Sequence, residues 1–178
     1  MSEGKVPGTR GVRIVLDPRI TPKELHAFYV RNGVCESGFS AKVAGRVLTR
    51  SDVIIGAYEG SKLVGLARGF CDGNSGEVAE LCVATEYQGK KLKLSNASVI
   101  ERDDSGLGFL LGSALLREFR RRGAQFVSMY PVIGFEEKFA KSLGFGENPG
   151  MKVYVIDARS YVPRSQRIGH FPKSKPRK

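Results

Sequence analysis

Three glycines on either side of a polar segment are the residues whose type and spacing could bind a ligand in this chain. Gly106 and Gly108 flank Leu107 at the start of a predicted helix, and Gly89 follows the predicted strand that precedes that segment. Unpaired backbone N–H groups at a helix start point into the preceding loop, and glycines let a diphosphate approach them closely. The pattern therefore indicates phosphate binding, although the same glycines also occur at helix starts that bind nothing.

The elements around these glycines predict a single α/β domain. Three apolar runs, Val53–Tyr58, Leu63–Phe70 and Glu77–Thr85, are separated by short polar connections that contain glycine, which is typical of an antiparallel meander. Leucines recur at helical spacing between Leu107 and Gly123, and the predicted strand Phe126–Met129 follows directly. Strand, helix and strand then form a parallel crossover, so we expect a mixed sheet.

Shorter elements are expected on both sides of this frame. Before it, the pattern predicts a strand at Gly11–Leu16, a helix that begins with a capping box of Thr21 and Glu24, and a second helix at Ser40–Thr49. After it, the pattern predicts a short helix at Phe135–Leu143 and a last strand at Lys152–Asp157.

Length and composition favour one intracellular domain. A chain of 178 residues with 41% apolar residues can bury one substantial core. No apolar run approaches the roughly 20 residues that cross a bilayer, and the first residues lack the apolar stretch of a signal peptide, so we expect a cytoplasmic protein without a membrane partner. The three cysteines lack metal-ligand spacing, and two histidines, His26 and His170, do not suit a Ser-His-Asp or Cys-His hydrolase. We therefore expect reduced cysteines and no metal.

The net charge of +11 is concentrated at the C terminus. We expect a folded domain over residues 1–158 and a flexible basic tail over 159–178, through which nucleic acid could bind. The body is only mildly basic, which is typical of enzymes for phosphorylated ligands. No acidic residue follows Asp157, and the tail supplies seven of the eleven net charges: Arg159, Arg164, Arg167, Lys173, Lys175, Arg177 and Lys178.

Between Val53 and Phe145 the chain resembles the GNAT superfamily of acyl-CoA-dependent N-acyltransferases. Tyr87-Gln88-Gly89-Lys90 is similar to the opening of the family's diphosphate loop, and Gly106-Leu107-Gly108 is similar to its end. Leu143-Gly144-Phe145 resembles the segment that closes the substrate side. The resemblance implies a mixed sheet with antiparallel N-terminal strands, a parallel strand-helix-strand crossover and helices on both faces.

The resemblance also implies an activity. It implies that an acetyl group passes from acetyl-CoA, as co-substrate, to a primary amine of a small molecule or peptide, by direct attack of the amine on the thioester. A homodimer is also in keeping with the family. The coenzyme-binding residues that it implies are Leu81, Cys82, Val83, Gln88, Gly89, Lys90, Gly106, Leu107 and Gly108.

Two carboxylates and one tyrosine are the catalytic candidates that the resemblance implies. The family base is often a carboxylate on the strand before the loop, and both Glu77 and Glu80 match a branch of the family. Their odd separation puts them on opposite faces of a regular strand, so only one can face the cleft unless a bulge intervenes. We favour Glu80, because its apolar neighbours give it no other reason to lie in a sheet, although either residue could be an exposed carboxylate paired with a lysine. The usual acid position is Ala140 here, which leaves Tyr130 or no dedicated acid, and Tyr130 could instead pack at the strand end.

The largest departure from the family pattern is residues 91–105. The pattern is Gln or Arg, two residues, Gly, one residue, and Gly or Ala, so Gln88 matches its first position while Gly106 and Gly108 match its last two. An outward loop would leave the coenzyme site intact, whereas an inward fold would obstruct it. Two other classes of function therefore stay open: a catalytically degenerate domain of the same fold that binds CoA or a protein partner, and a nucleic-acid or ribosome-associated protein that binds through its tail.

Overall fold

A computed structural model describes residues 8–35, 39–155, 165 and 168–169. Five strands form one sheet in the order β1-β2-β3-β4-β5; β1 to β4 are antiparallel to their neighbours, and β5 runs parallel to β4. The predicted mixed α/β fold is confirmed. In chain order the elements are β1 (Val12–Leu16), α1 (Pro22–Arg31), α2 (Ala41–Arg50), β2 (Val53–Glu59), β3 (Lys62–Cys71), β4 (Ser75–Val83), α3 (Thr85–Gln88), α4 (Leu107–Arg121), β5 (Phe126–Ser128) and α5 (Glu137–Ser142).

Helices cover both faces of this sheet, as predicted. On one face, the hydroxyl of Tyr29 in α1 reaches the carboxylate of Glu80 in β4. On the other face, α4 lies so close to β4 that a Cβ at Gly112 would be 3.1 Å from the side chain of Leu81. Because successive residues of a strand point to opposite faces, these contacts place the two helices on opposite sides.

The start of α1 is determined locally. The Thr21 hydroxyl accepts a hydrogen bond from the Glu24 N–H at 3.1 Å, and the Glu24 carboxylate accepts one from the Thr21 N–H at 3.4 Å. This capping box satisfies two backbone donors that would otherwise lack partners, and the sequence predicted it. It fixes the helix that carries Tyr29 to β4.

β4 and β5 separate soon after they begin. Their register pairs Ser75, Gly76 and Glu77 with the three residues of β5. β4 continues to Val83 beside β3, and the described residues provide no further strand along its other edge. The separation leaves a cleft between the two parallel strands, bordered by the second half of β4.

A bulge in β4 decides which way its carboxylates point. The register pairs Arg68 with Glu80 but Phe70 with Glu77, which leaves Ala79 as an extra residue on β4. Arg68 and Phe70 lie on the same face of β3, so their partners also share a face. The irregularity that would let both glutamates face the cleft is therefore present.

Besides shifts of one or two residues at other ends, the predicted elements differ from the structure at three places. β4 ends before Thr85, because Thr85 already begins α3. The last helix begins at Glu137 rather than Phe135. Residues 152–155 do not form a strand: they have the apolar character of one, but their side chains are exposed and no neighbouring strand pairs with them within the described chain. Residues 156–157 of that predicted strand, and the tail apart from 165, 168 and 169, lie outside the described residues.

The structure also bears on the cysteines, on membrane-spanning helices and on metal sites. The cysteines are free thiols, as predicted. Across the described ranges, the longest apolar helix falls short of what a bilayer crossing requires. In the same ranges, no three His, Cys, Asp or Glu side chains converge in a way that could hold a metal ion.

Candidate functional site

A cavity of about 140 Å³ lies where β4 and β5 separate. All three predicted catalytic residues line it, because the bulge turns both glutamates toward it and Tyr130 follows the end of β5. The other contributions come from the segment between α3 and α4 and from the N-cap of α5. The lining residues are Glu77, Val78, Ala79, Glu80, Leu81, Ser98, Met129, Tyr130 and Glu136.

Glu80 is held by donors on three sides. One of its carboxylate oxygens accepts hydrogen bonds from the Tyr29 hydroxyl at 2.7 Å and from Nε of Arg68 at 2.5 Å, and the other accepts one from Sγ of Cys82 at 2.9 Å. Glu80 and Arg68 form an ion pair, and their side chains are only 11% and 17% exposed, respectively. The partner of Glu80 is thus a buried arginine rather than a surface lysine, and the network fixes the carboxylate in one orientation.

The network keeps its donors protonated. Burial raises the pKa of Tyr29 far above its usual value, and the Glu80 carboxylate raises it further. Burial and Glu80 likewise raise the pKa of the Cys82 thiol well above its usual range. Burial alone would lower the pKa of Arg68, but Glu80 outweighs that effect and the pKa is raised. Cys82 is therefore a neutral donor and not a thiolate nucleophile.

Glu77 has a different environment from Glu80. Its side chain is half-buried, and it has no hydrogen-bond or ion-pair partner among the described residues. Tyr130, at the mouth of the same cavity, is 56% exposed. Glu77 is therefore the carboxylate whose oxygens are open to a ligand in the cavity.

Glu136 is a site residue that sequence reasoning missed. It is buried, and its two oxygens accept hydrogen bonds from the backbone N–H groups of Ile100 at 2.8 Å and Val132 at 2.9 Å. It adds a third carboxylate to the cavity, whose described lining contains no Lys, Arg or His. Nothing in the sequence marks Glu136, because its burial depends on contacts with residues that are distant in the chain. The resulting cavity attracts cations.

The predicted diphosphate cradle is filled by the chain itself. Each oxygen of the Asp103 carboxylate accepts one backbone N–H at the start of α4, from Gly108 and from Phe109, both at 2.8 Å. The Asp103 carbonyl accepts the N–H of Gly106 at 2.9 Å. These are the amides that would bind a phosphate at the start of a helix. Of the two alternatives for residues 91–105, the structure shows the inward fold.

The predicted cradle residues come together, but around this inserted segment. The buried side chain of Gln88 donates to the Val83 carbonyl and accepts the N–H of Glu101, both at 3.2 Å. The Gln88 carbonyl accepts the N–H of Asp104 at 2.8 Å, and a Cβ at Gly89 would be 2.8 Å from the Asp104 carboxylate. These residues therefore position the segment instead of facing an open loop.

The remaining predicted coenzyme-binding residues have different surroundings. The N–H of Val83 donates to the carbonyl of Ala97 at 2.9 Å. Leu81 lines the cavity, and Leu107 is fully buried in the core. Lys90 is exposed. Ala97 therefore covers the β4 edge at Val83, where the resemblance implies that the coenzyme would bind.

Asp103 was also absent from the predicted site, although the sequence contains a signal for it. The spacing Asp103-x-x-Gly106-x-Gly108 repeats the GNAT pattern with aspartate at the position of the first Gln or Arg. Matching that position to Gln88 hid this agreement. A carboxylate there bears the same charge as the ligand that the pattern is expected to bind.

The site is open to a ligand at one end and already occupied by protein groups at the other. The cavity between β4 and β5 is open beside Glu77. At the start of α4, the Asp103 carboxylate already accepts the amides that a diphosphate would require, and two anions in one place would repel each other. In this arrangement the diphosphate of the coenzyme does not fit.

Solved structures with the same fold are acetyltransferases. A GNAT-family acetyltransferase from Streptococcus pneumoniae is 22% identical, with a TM-score of 0.60 over 83% of this chain and 99% of that chain. A ribosomal-protein-alanine N-acetyltransferase from Brucella melitensis biovar Abortus is 17% identical, with a TM-score of 0.56 over 83% and 99% of the two chains. An aminoglycoside acetyltransferase from an uncultured soil metagenomic sample, in complex with sisomicin, is 15% identical, with a TM-score of 0.55 over 83% and 98%. The chain therefore has the GNAT fold.

The sequence itself matches no protein-family model and is similar to no curated protein.

Proposed function

We propose that this protein is an N-acyltransferase whose acceptor is a cationic primary amine. The observation that carries the proposal is the cavity between the separating strands β4 and β5, into which Glu77 points with no partner among the described residues. The fold supports it, because the similar solved structures are acetyltransferases. The acyl donor implied by the fold is acetyl-CoA, which would supply a thioester carbonyl.

Glu77 is the proposed general base. A protonated amine must lose a proton before it can act as a nucleophile, and the base has to reach it by a hydrogen bond. The oxygens of Glu77 have no other donor among the described residues, whereas those of Glu80 already accept three hydrogen bonds. We therefore prefer Glu77 to Glu80 for proton removal and assign Glu80 to positioning the face of β4.

The charge of the cavity favours an ammonium group as its ligand. Glu77 and Glu136 contribute carboxylates, while the positive charge of Arg68 is paired with Glu80. Tyr130 lies at the mouth of the same cavity. It is the proposed acid, which would donate a proton to the departing thiolate of CoA. The acceptor itself does not follow from the fold, since the similar structures include an aminoglycoside acetyltransferase and a ribosomal-protein-alanine N-acetyltransferase.

The proposal is tested by measuring CoA release from acetyl-CoA in the presence of polyamines, aminoglycosides, amino acids and basic peptides. With an accepted amine, Glu77→Gln should lower kcat/KM by roughly 10²-fold or more at neutral pH, because general-base catalysis contributes about that much. Glu147→Gln is the matched control, since Glu147 is exposed and lies outside the cavity lining. Full activity in the Glu77 variant would refute its role, and no CoA release from any amine by a protein that binds acetyl-CoA would refute the proposed function.

The inserted segment favours a second candidate function. If Asp103 replaced a phosphate permanently, the chain would be a non-catalytic domain of this fold, and neither the wild type nor any variant with a loosened segment would bind acetyl-CoA. The third class, nucleic-acid binding, depends on residues 159–178, of which the structure describes only 165, 168 and 169.

A further inference from the structure

We propose that residues 91–105 form an autoinhibitory plug, in which the Asp103 carboxylate takes the place of a coenzyme phosphate at the start of α4. The inference rests on the proposed function, because a plug can regulate this site only if the site takes acyl-CoA. It goes beyond that function by stating what controls access of the donor.

A single carboxylate occupies the start of α4. The amides of Gly108 and Phe109 each donate to a different oxygen of Asp103, so one carboxylate uses both donors. Hydrogen bonds from a helix start to an anion are charge-assisted, and the helix dipole strengthens them. A phosphate oxygen would need the same two donors, so the carboxylate and the phosphate exclude each other.

The plug covers the path from the cavity to the start of α4. The Ala97 carbonyl accepts the N–H of Val83 on the β4 edge, and Ser98 forms part of the cavity wall. The buried side chain of Ile100 lies where a Cβ at Gly108 would be 3.1 Å away. The plug therefore extends from the cavity to the start of α4, so it covers both the β4 edge and the helix start that the resemblance assigns to the coenzyme.

Few side chains of the plug are buried against the rest of the domain. Of residues 91–105, only Ala97 and Ile100 are buried. Its beginning is closed on itself, because the Glu101 carboxylate accepts the N–H groups of both Lys93 and Leu94. Apart from these two buried side chains, the plug is attached to the rest of the domain by hydrogen bonds, such as that of Ile100 to Glu136 and those of Glu101 and Asp104 to Gln88. Water can replace such bonds, so the plug can leave as a unit, as low-stability elements at ligand sites do.

The consequence is a coupled equilibrium. Acyl-CoA binds only molecules in which the plug has left, so its apparent affinity is reduced by the fraction of molecules that are open. A change that weakens the plug without altering the amides of α4 must therefore strengthen coenzyme binding, even though it removes a native hydrogen bond.

The direct test uses Asp103→Asn in the full chain, with binding of CoA measured by calorimetry. Asparagine keeps the size of the side chain but removes the charge, so we expect CoA to bind at least about tenfold more tightly, which corresponds to about 1.4 kcal/mol. The matched control is Asp72→Asn, because Asp72 also accepts two backbone N–H groups, from Asn74 at 2.8 Å and Ser75 at 2.6 Å. Asp72 lies in the β3–β4 turn, near the opposite end of α4, so its replacement should leave the affinity for CoA unchanged.

A second measurement needs no variant. In hydrogen exchange of the wild-type protein, saturating CoA should accelerate exchange of the Ile100 amide, which donates to Glu136 in the plugged form. The amides of Gly108 and Phe109 should stay protected, because a phosphate replaces the carboxylate as their acceptor.

The outcomes separate this inference from the proposed function. If the wild type binds CoA and Asp103→Asn binds it no more tightly, the plug does not compete and the inference is wrong, while the proposed function stands. If neither protein binds CoA and exchange at Ile100 is unchanged at millimolar CoA, the segment is a permanent part of the fold and the inference is also wrong. Tight binding by Asp103→Asn without acetyl transfer to any amine would support the plug and refute the proposed function.

Discussion

The two halves of the β4 edge that faces away from β3 differ in what lies against them. From Glu77 to Leu81 the edge borders an open cavity, and one carboxylate there has no partner among the described residues. At Val83 the edge is covered by Ala97, and the nearby start of α4 is capped by Asp103. Both halves present backbone and side-chain groups that need partners, but only the first leaves them to a ligand.

This difference distinguishes the half of the edge that is proposed to bind the amine from the half that is proposed to bind the acyl donor. The half that would bind the reacting amine keeps free acceptors, whereas the half that would hold the coenzyme is satisfied by the protein's own residues. The chain therefore departs from the GNAT pattern at the start of α4, where we propose that the plug controls access of the acyl donor. The same contrast distinguishes Glu77 from Glu80 and Asp103, since every oxygen of Glu80 and Asp103 accepts a hydrogen bond from the protein and those of Glu77 accept none among the described residues.

The largest expected effect concerns Glu80. Glu80→Ala leaves the buried guanidinium of Arg68 without its counter-ion, and breaking a buried ion pair in this way costs about 3 kcal/mol of the free energy of unfolding. Glu77→Ala should change it by about 0.5 kcal/mol or less, because no hydrogen bond or ion pair among the described residues is lost. Urea unfolding of both variants measures the difference. Equal losses would remove the distinction between a structural and an open carboxylate.

A smaller effect is expected at the other half of the edge. Without ligand, Asp103→Ala should lower the free energy of unfolding by about 1 kcal/mol, the usual cost of losing a helix cap. The nearby Asp104→Ala, which removes only an exposed ion pair with Arg102 at 3.0 Å, should cost about 0.5 kcal/mol or less. Saturating CoA should stabilise the Asp103 variant more than the wild type, because a ligand stabilises in proportion to the logarithm of its concentration over Kd. Unfolding curves with and without CoA test this, and a variant as stable as the wild type without ligand would show that the cap contributes nothing.

The smallest effect lies at the C-terminal end of α4. Hydrogen bonds from Arg121 and Arg122 lower the pKa of Glu118 from 4.5 to about 2. A carboxyl whose pKa is lower in the folded state stabilises the fold above its unfolded pKa and loses that contribution as the pH falls toward the folded value. The difference in Tm between the wild type and Glu118→Gln should therefore be constant above about pH 5 and shrink toward pH 2. CoA affinity should be the same in both, and a change would mean that any charge near α4, not Asp103 in particular, controls the site.

Most of the fold could be predicted from local sequence patterns. The capping box at Thr21, the hairpin of β2 and β3, and the apolar stripe of α4 depend on residues a few positions apart, so they can be identified before any tertiary contact is known. The resemblance to the GNAT superfamily singled out Glu77, Glu80 and Tyr130 as catalytic candidates, and the structure places all three around one cavity. The predicted strand after α5 failed over 152–155, because a strand also requires a neighbour with which to pair.

By itself, the sequence determined the order of strands and helices and the segment in which a phosphate-binding loop would lie, since both follow from short-range periodicity and from glycine placement. Only the tertiary structure decided that Ala79 bulges and turns Glu77 and Glu80 to one face, and that residues 91–105 fold inward to set Asp103 against α4. The physical reason is the same in both cases. A one-residue register shift and the docking of an irregular segment are determined by hydrogen bonds between residues far apart in the chain, and such bonds leave no periodic pattern to read.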